Sequence, residues 1–383
     1  MALHFSEEEL AERRRRAQEA MAASALDGML IFRQESMFYL TGYDTFGYVF
    51  FQCLYLGQDG RMFLLTRAPD RLQAQYTSVI GDIRIWVNAP DADPARELRG
   101  YLQDLGVAGK RLGVEWDTYG LTARNGQRLT AAMDGFCDLA DASELVSRLR
   151  VVKSPAEIAY VRRAGELADD AYDAGVATTG PGASEADILN AMQGAVFKGG
   201  GDYPGNEFII GSGRDALLCR YYSGRRNLDP QDQLTLEWAG AYRHYHVAMM
   251  RTFIVGEPNE RQKFLFSAAL DALEAVEDAI RPGNCFGDGF AAHARVLDEA
   301  GLNEHRLNAC GYSLGTTFAP LWMDWPMLYR DNPVEFEPGM VVFGHMIIFD
   351  APAGLAMTLG ETVLVTETGN ERLSRSPLEL VIK

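Results

Sequence analysis

Three things are scarce in this 383-residue chain, and each scarcity removes a class of function. Basic residues are outnumbered, 36 Lys and Arg against 53 Asp and Glu, for a net charge of -17. Nucleic acids and anionic membrane surfaces attract basic patches, so they are poor partners here and small molecules are the expected ligands. Cysteines number five (Cys53, Cys137, Cys219, Cys285 and Cys310) with no CxxC pair. An odd count without that pair specifies neither a disulfide framework nor a zinc knuckle and fits a reducing cytoplasm. Long apolar runs are missing too: the opening MALHFSEEELAERRRRAQEAM is charged and helical, without the apolar centre of a secretory signal, and no later run is long enough to span a bilayer. A cytoplasmic location is therefore expected. What is present is a composition 47% apolar and 10% aromatic, enough for a large core and two domains.

Ser6 followed by Glu9 makes a capping-box pattern ahead of an Arg- and Ala-rich helix, and DGMLIF at 27–32 reads as the next strand. Strand-like runs follow at 48–56, 62–66, 83–86 and 111–115, with a helical segment over 94–105 between the last two. This alternation predicts an α/β domain over residues 1–150. Pro155 then opens a helix capped by Ser154, with Glu157 in capping-box register, which sets the boundary just before it. From 151 to 383 long helices and antiparallel hairpins predict an α+β domain. A helix over 158–176 ends near Gly180-Pro181-Gly182, and one over 261–280 ends near Arg281-Pro282-Gly283. Two related halves explain the spacing; so does the frequency of Pro-Gly as a helix terminator.

Four stretches of the second domain carry motifs: IIGSGRDALLCRYYSGRRNLDPQDQLTLEWAG, the hairpin from Glu237 to Arg251-Thr252-Phe253, Gly311-Tyr312-Ser313-Leu314-Gly315, and Pro338 to Met346 with the continuation Gly360 to Gly369. In order and spacing they resemble the creatinase/prolidase superfamily, whose second domain has the pita-bread fold. The first domain also resembles that family's amino-terminal domain. The resemblance implies an α/β amino-terminal domain plus an α+β pita-bread carboxy-terminal domain, and a homodimer.

Metallopeptidases of this family bind two ions through Asp, Asp, His, Glu and Glu. The corresponding positions here hold Glu237, Ala248, Tyr312, His345 and Gly360. Alanine and glycine offer no side-chain donor, a neutral phenol is a poor ligand, and His for Glu removes charge a dinuclear site needs. The expectation is therefore no dinuclear metal site and no cofactor, with a single zinc held by Glu237, His345 and Glu361 as the alternative. Creatinase also works without metal, but its catalytic imidazole corresponds to Arg220 here, its hairpin glutamate to Met250, and the arginine its amino-terminal domain contributes to Phe50. The ectoine hydrolase branch is more similar: Leu40-Thr-Gly-Tyr-Asp44, Gly201-Asp-Tyr-Pro204, Glu237-x-Ala-Gly240 with His246 and Arg251, Gly311-Tyr-Ser, Trp322 and His345-Met-Ile are shared, and Glu361 fits a glutamate just past the vanished final ligand. That branch opens a cyclic amidine to an N-acetylated diamino acid.

Hydrolysing such a C–N bond requires a base for water, a donor for the developing tetrahedral centre and an acid for the leaving nitrogen. Glu237 stands in a strand whose neighbours Leu234, Leu236 and Trp238 are apolar, as suits a partly desolvated base. A solvent-facing strand glutamate is the plainer alternative. His345 interrupts MVVFGHMIIF; it is either a satisfied core histidine or an acid, with Glu361 orienting it. Tyr312 serves as a donor or packs beneath the glycine turn. His246 shares a face with Ala248 by strand alternation and is a candidate for a substrate carboxylate. Arg220 and Arg251 are candidate anion holders, Arg251 alternatively a structural ion-pair partner. Asp324 joins them beside Trp322. Tyr43, Phe46, Tyr48, Phe50 and Trp322 are candidates to enclose a compact zwitterion, or else core. The preferred reading is a metal-independent hydrolase of a small amidine, cyclic amide or zwitterionic amino-acid derivative. An Xaa-Pro dipeptidase, told apart by chelation, and a non-catalytic binding module, told apart by binding without turnover, are the alternatives.

Overall fold

The computed structural model describes residues 3–218 and 224–383, which fall into two compact units divided between Arg150 and Val151. In the first unit the elements run α1 (Glu7–Ala23), β1 (Gly28–Ile31), α2 (Gln34–Thr41), β2 (Cys53–Gly57), β3 (Met62–Arg67), α3 (Arg71–Thr77), β4 (Ile83–Trp86), α4 (Pro94–Asp104), β5 (Arg111–Val114), α5 (Ala123–Met133), β6 (Asp138–Asp141) and α6 (Leu145–Arg150). The strands form one sheet in the order β4-β3-β2-β1-β5-β6. Alternation along β1 splits the core between its two faces: Leu30 and Phe32 pack with residues of α4 and α5, while Met29 and Ile31 pack with residues of α1, α2 and α6. The strand expected over 48–56 is shorter than its apolar content suggests. It begins only at Cys53, because Gly47–Val49 form a single tight turn that leaves Phe46, Val49 and Phe50 exposed.

The second unit continues with α7 (Pro155–Thr178), α8 (Glu185–Lys198), β7 (Ile209–Ser212), β8 (Asp232–Tyr242), β9 (Tyr245–Val255), α9 (Glu260–Ala279), α10 (Phe286–Glu299), β10 (Ala309–Ser313), β11 (Asp324–Tyr329), β12 (Val341–Asp350), β13 (Leu355–Val365), β14 (Asn370–Arg372) and β15 (Val381–Ile382). Ser154 and Glu157 form the full reciprocal capping box at the start of α7. Each helix pair turns at a Pro-Gly whose glycine is left-handed, Gly182 at φ 78° and Gly283 at φ 92°, and a long antiparallel hairpin follows each pair. The faint repeat is thus visible in the element order. The sheet runs β11-β10-β12-β13-β9-β8-β7, with β14 on β13 and β15 on β9.

Helix α7 lies directly on the β8–β9 hairpin. A Cβ added to Gly240 would come within 1.9 Å of the Ala164 carbonyl oxygen, so this approach requires glycine. The Trp238 indole donates to the Ala168 carbonyl at 2.9 Å and stacks on Tyr172. On the other half, residues of α9 and α10 and of β12 and β13 share a second apolar core. Among the described residues no helix is long and apolar enough to cross a membrane.

Candidate functional site

Strand register decides which side chains meet. Across the sheet, Ile209 pairs with Glu237, Glu237 with Met250, Met250 with Gly360 and Gly360 with His345. Directly opposed residues share a face, so Glu237 and His345 lie on one side. Their sequence neighbours Trp238, Arg251 and Glu361 lie on the other, the side on which Trp238 meets α7. Tyr312 opposes Phe343 and so joins the face of Glu237 and His345.

That face is concave. Strand β10 stands four places from β8, a separation of about 19 Å in a flat sheet. Yet the Tyr312 hydroxyl reaches Glu237 Oε1 at 3.3 Å, so the sheet must curl. The indole of Trp322 donates to the same hydroxyl at 2.9 Å. The His345 ring packs 5.6 Å from that of Tyr312 and 5.5 Å from that of Phe343. Tyr312 therefore joins the carboxylate to the imidazole, touching the first by its hydroxyl and the second by its ring. Both Glu237 and His345 keep 8% exposure, in contrast to the fully covered His246. Ile209, Ala216, Met250, Ile347, Phe349 and Thr358 surround a small apolar cavity beside Glu237, with room for about one water molecule at most.

Several expected roles need correction. Glu361 does not orient His345. Alternation turns it to the opposite face, where it pairs with Arg251 and accepts from Ser374 Oγ at 2.6 Å. Arg251 is spent likewise, its Nη1 donating to the carbonyls of Met250 at 2.8 Å and Gly360 at 2.9 Å. The two make a buried structural pair, the alternative already open for Arg251. His246 shares the face of Ala248, but both its ring nitrogens are engaged. Nε2 accepts from the Gly205 backbone N–H at 2.8 Å, and Nδ1 lies 3.1 Å from Thr317 Oγ1. Burial pushes its pKa down to about 4, with His244 adding a smaller effect, so the ring is neutral. It holds structure in place of a substrate carboxylate.

Trp322 is 1% exposed and offers its indole to Tyr312, leaving no open face for a cation. Asp324 opens β11 opposite Ser313 and accepts from the Trp325 backbone N–H at 2.9 Å. In the first unit Tyr43 is wholly buried, its hydroxyl 3.3 Å from Gln52 Oε1, and belongs to the core. Tyr48 is buried as well. Phe46 and Phe50 are exposed, with the Arg67 guanidinium 3.9 Å above the Phe50 ring. Arg220 lies outside the described residues.

Phe343, Thr317 and Gly205 escaped the sequence reading. Phe343 lies two residues before His345, so alternation alone would have placed it on the same face. Its ring fills the space above Gly360: a Cβ there would come within 2.8 Å of Phe343 Cε2. Among the described residues no three His, Cys, Asp or Glu side chains gather as a metal would need.

Residues 159–367 match Metallopeptidase family M24, and residues 13–152 match the Creatinase/Prolidase N-terminal domain. The chain is 30% identical to "Uncharacterized hydrolase/peptidase y4tM" of Sinorhizobium fredii, covering 100% of this chain and 99% of that protein. It is 29% identical to the ectoine hydrolase of Halomonas elongata, with the same coverage. The solved prolidase of Thermococcus sibiricus superposes with a TM-score of 0.88 at 18% identity over 99% of this chain and 100% of that one. An Xaa-Pro dipeptidase of Bacillus anthracis gives 0.84 at 24% identity over 98% and 100%. Those two likenesses establish the fold. By the family match and the full-length relative, this chain belongs to metallopeptidase family M24, with the pita-bread fold behind a creatinase-type amino-terminal domain.

Proposed function

We propose that this protein is a metal-independent hydrolase acting on a C–N bond of a small amidine, cyclic amide or zwitterionic amino-acid derivative. The broad class, a hydrolase of the M24 family, rests on the family match and on the names of its full-length relatives. One observation carries the finer reading: Glu237 and His345, at the places of two metal ligands in the family's peptidases, are joined through Tyr312, while Phe343 closes the space above Gly360.

In this reading Glu237 takes a proton from water, whose oxygen attacks the amidine or amide carbon. His345 donates to the heteroatom on which charge develops, while the Tyr312 proton stays on Glu237. Glu237 then gives the proton it took from water to the leaving nitrogen, the C–N bond breaks, and the carboxylate is regenerated.

The test is turnover of ectoine and of N-acetyl diamino acids by purified protein, before and after exhaustive chelation, with metal content measured alongside. Retained turnover without stoichiometric metal is expected. Paired transition metals with chelator-sensitive cleavage of proline dipeptides would instead establish the Xaa-Pro peptidase that the fold neighbours represent.

A further inference from the structure

We infer that Gly205, His246 and Thr317 are positioning residues: a hydrogen-bond chain with every donor pointing one way holds Trp322, and through it fixes the Tyr312 proton on Glu237. The inference rests on the reading of Glu237 as the base. Its direction follows link by link. A backbone N–H can only donate, so His246 Nε2, 2.8 Å from the Gly205 nitrogen, is the acceptor and bears no proton. A neutral imidazole bare at Nε2 carries its proton on Nδ1, and here that proton goes to Thr317 Oγ1 at 3.1 Å. The threonine hydroxyl then sends its one proton to the Trp322 carbonyl at 3.4 Å. The indole of Trp322 is a donor only and gives to Tyr312 Oη at 2.9 Å. The phenol therefore has its proton left for Glu237 Oε1 at 3.3 Å.

Reversal is blocked at the first link, since a proton on Nε2 would face the Gly205 N–H at 2.8 Å. His246 is completely buried, and desolvation keeps it neutral, so the tautomer holds across ordinary pH. A second contact supports the same role. The Gly205 backbone lies so close to the Trp322 segment that an added Cβ would sit 2.8 Å from the Leu321 carbonyl oxygen and 3.3 Å from the Trp322 nitrogen. The Thr317 backbone N–H also donates to the His244 carbonyl at 3.1 Å, and the His246 N–H to the Gly315 carbonyl at 3.2 Å. The β8–β9 turn thereby sets the position of a tryptophan some eighty residues away in sequence. Nothing is transferred along the chain, because the Trp322 carbonyl and indole are joined only by covalent bonds. It supplies orientation.

Three measurements on the full chain test this. In ¹⁵N-histidine-labelled protein at pH 7, His246 should show a bare Nε2 and a protonated Nδ1; the opposite tautomer overturns the inference. With ectoine as probe, Thr317→Val should lower kcat about 10-fold with KM changed less than about twofold, the loss expected for one buried hydrogen bond. Thr317→Ser, which keeps the hydroxyl, should stay near wild type. Equal kcat in wild type and Thr317→Val overturns the inference. If wild-type protein leaves ectoine intact, the proposed reaction fails for that substrate, and the Trp322 indole N–H resonance still decides the positioning. It should shift and exchange faster in Thr317→Val but not in Thr317→Ser, and an unchanged resonance in both overturns it.

Discussion

Replacing Glu237 by Gln removes the base but keeps a group able to accept from the Tyr312 hydroxyl. Turnover is expected to fall about 10²- to 10⁴-fold, the usual contribution of general base catalysis, with the thermal midpoint barely changed. A second residue-scale expectation concerns acid. Burial lowers the pKa of His246 to about 4 in the fold, against about 6.5 in the unfolded chain. Above the unfolded value both states are neutral, and the contribution of the buried ring is fully present. Between about 6.5 and 4 only the unfolded chain gains the proton, so stability is lost as pH falls through that window, by on the order of 3 kcal/mol for this ring. Denaturant midpoints measured across it should slope less steeply in His246→Asn than in wild type. At this scale much was legible. Glu237 and His345 interrupt apolar strands, but it was their places, and that of Tyr312, among the family's ligand positions that singled them out, and the structure brings the three together. Glu361 was misplaced because its identity outweighed its parity, although its position next to Gly360 already implied the opposite face.

Hairpins and their partners show what a side chain at an element's crowded points would do. At Gly360 an added methyl meets the Phe343 ring at 2.8 Å. Gly360→Ala should therefore cost about 1–3 kcal/mol, as overpacking does, read as a lowered denaturant midpoint. Adding Phe343→Leu should recover part of that loss, and an undiminished loss in the double variant would mean the strain lies elsewhere. Gly240 is different, since the obstacle is the Ala164 carbonyl oxygen at 1.9 Å, and backbone cannot rotate away as a ring can. The long hairpins and α7 were readable from period and capping. Helix α2 was not: it is buried on nearly every side and so has no amphipathic stripe to reveal it. The segment before β2 failed in the opposite sense, reading as strand although Val49 and Phe50 face solvent from a tight turn while Tyr48 and Phe51 are buried.

On the scale of the whole molecule, the first unit exposes Phe46 at 79%, Val49 at 58% and Phe50 at 49%. All three sit within one short turn and its flanks. Single exposed apolar residues need no explanation, whereas a local group of large ones marks a surface that another surface covers. The resemblance to the creatinase/prolidase family implies a homodimer, which would supply that surface from a second copy of the chain. Light scattering should then report the mass of two chains. Phe46→Asp with Phe50→Asp places charge in the group without touching the core, because neither side chain is buried. That variant should dissociate towards single chains while its thermal unfolding remains cooperative. A wild-type mass of one chain at tens of micromolar would rule the pairing out.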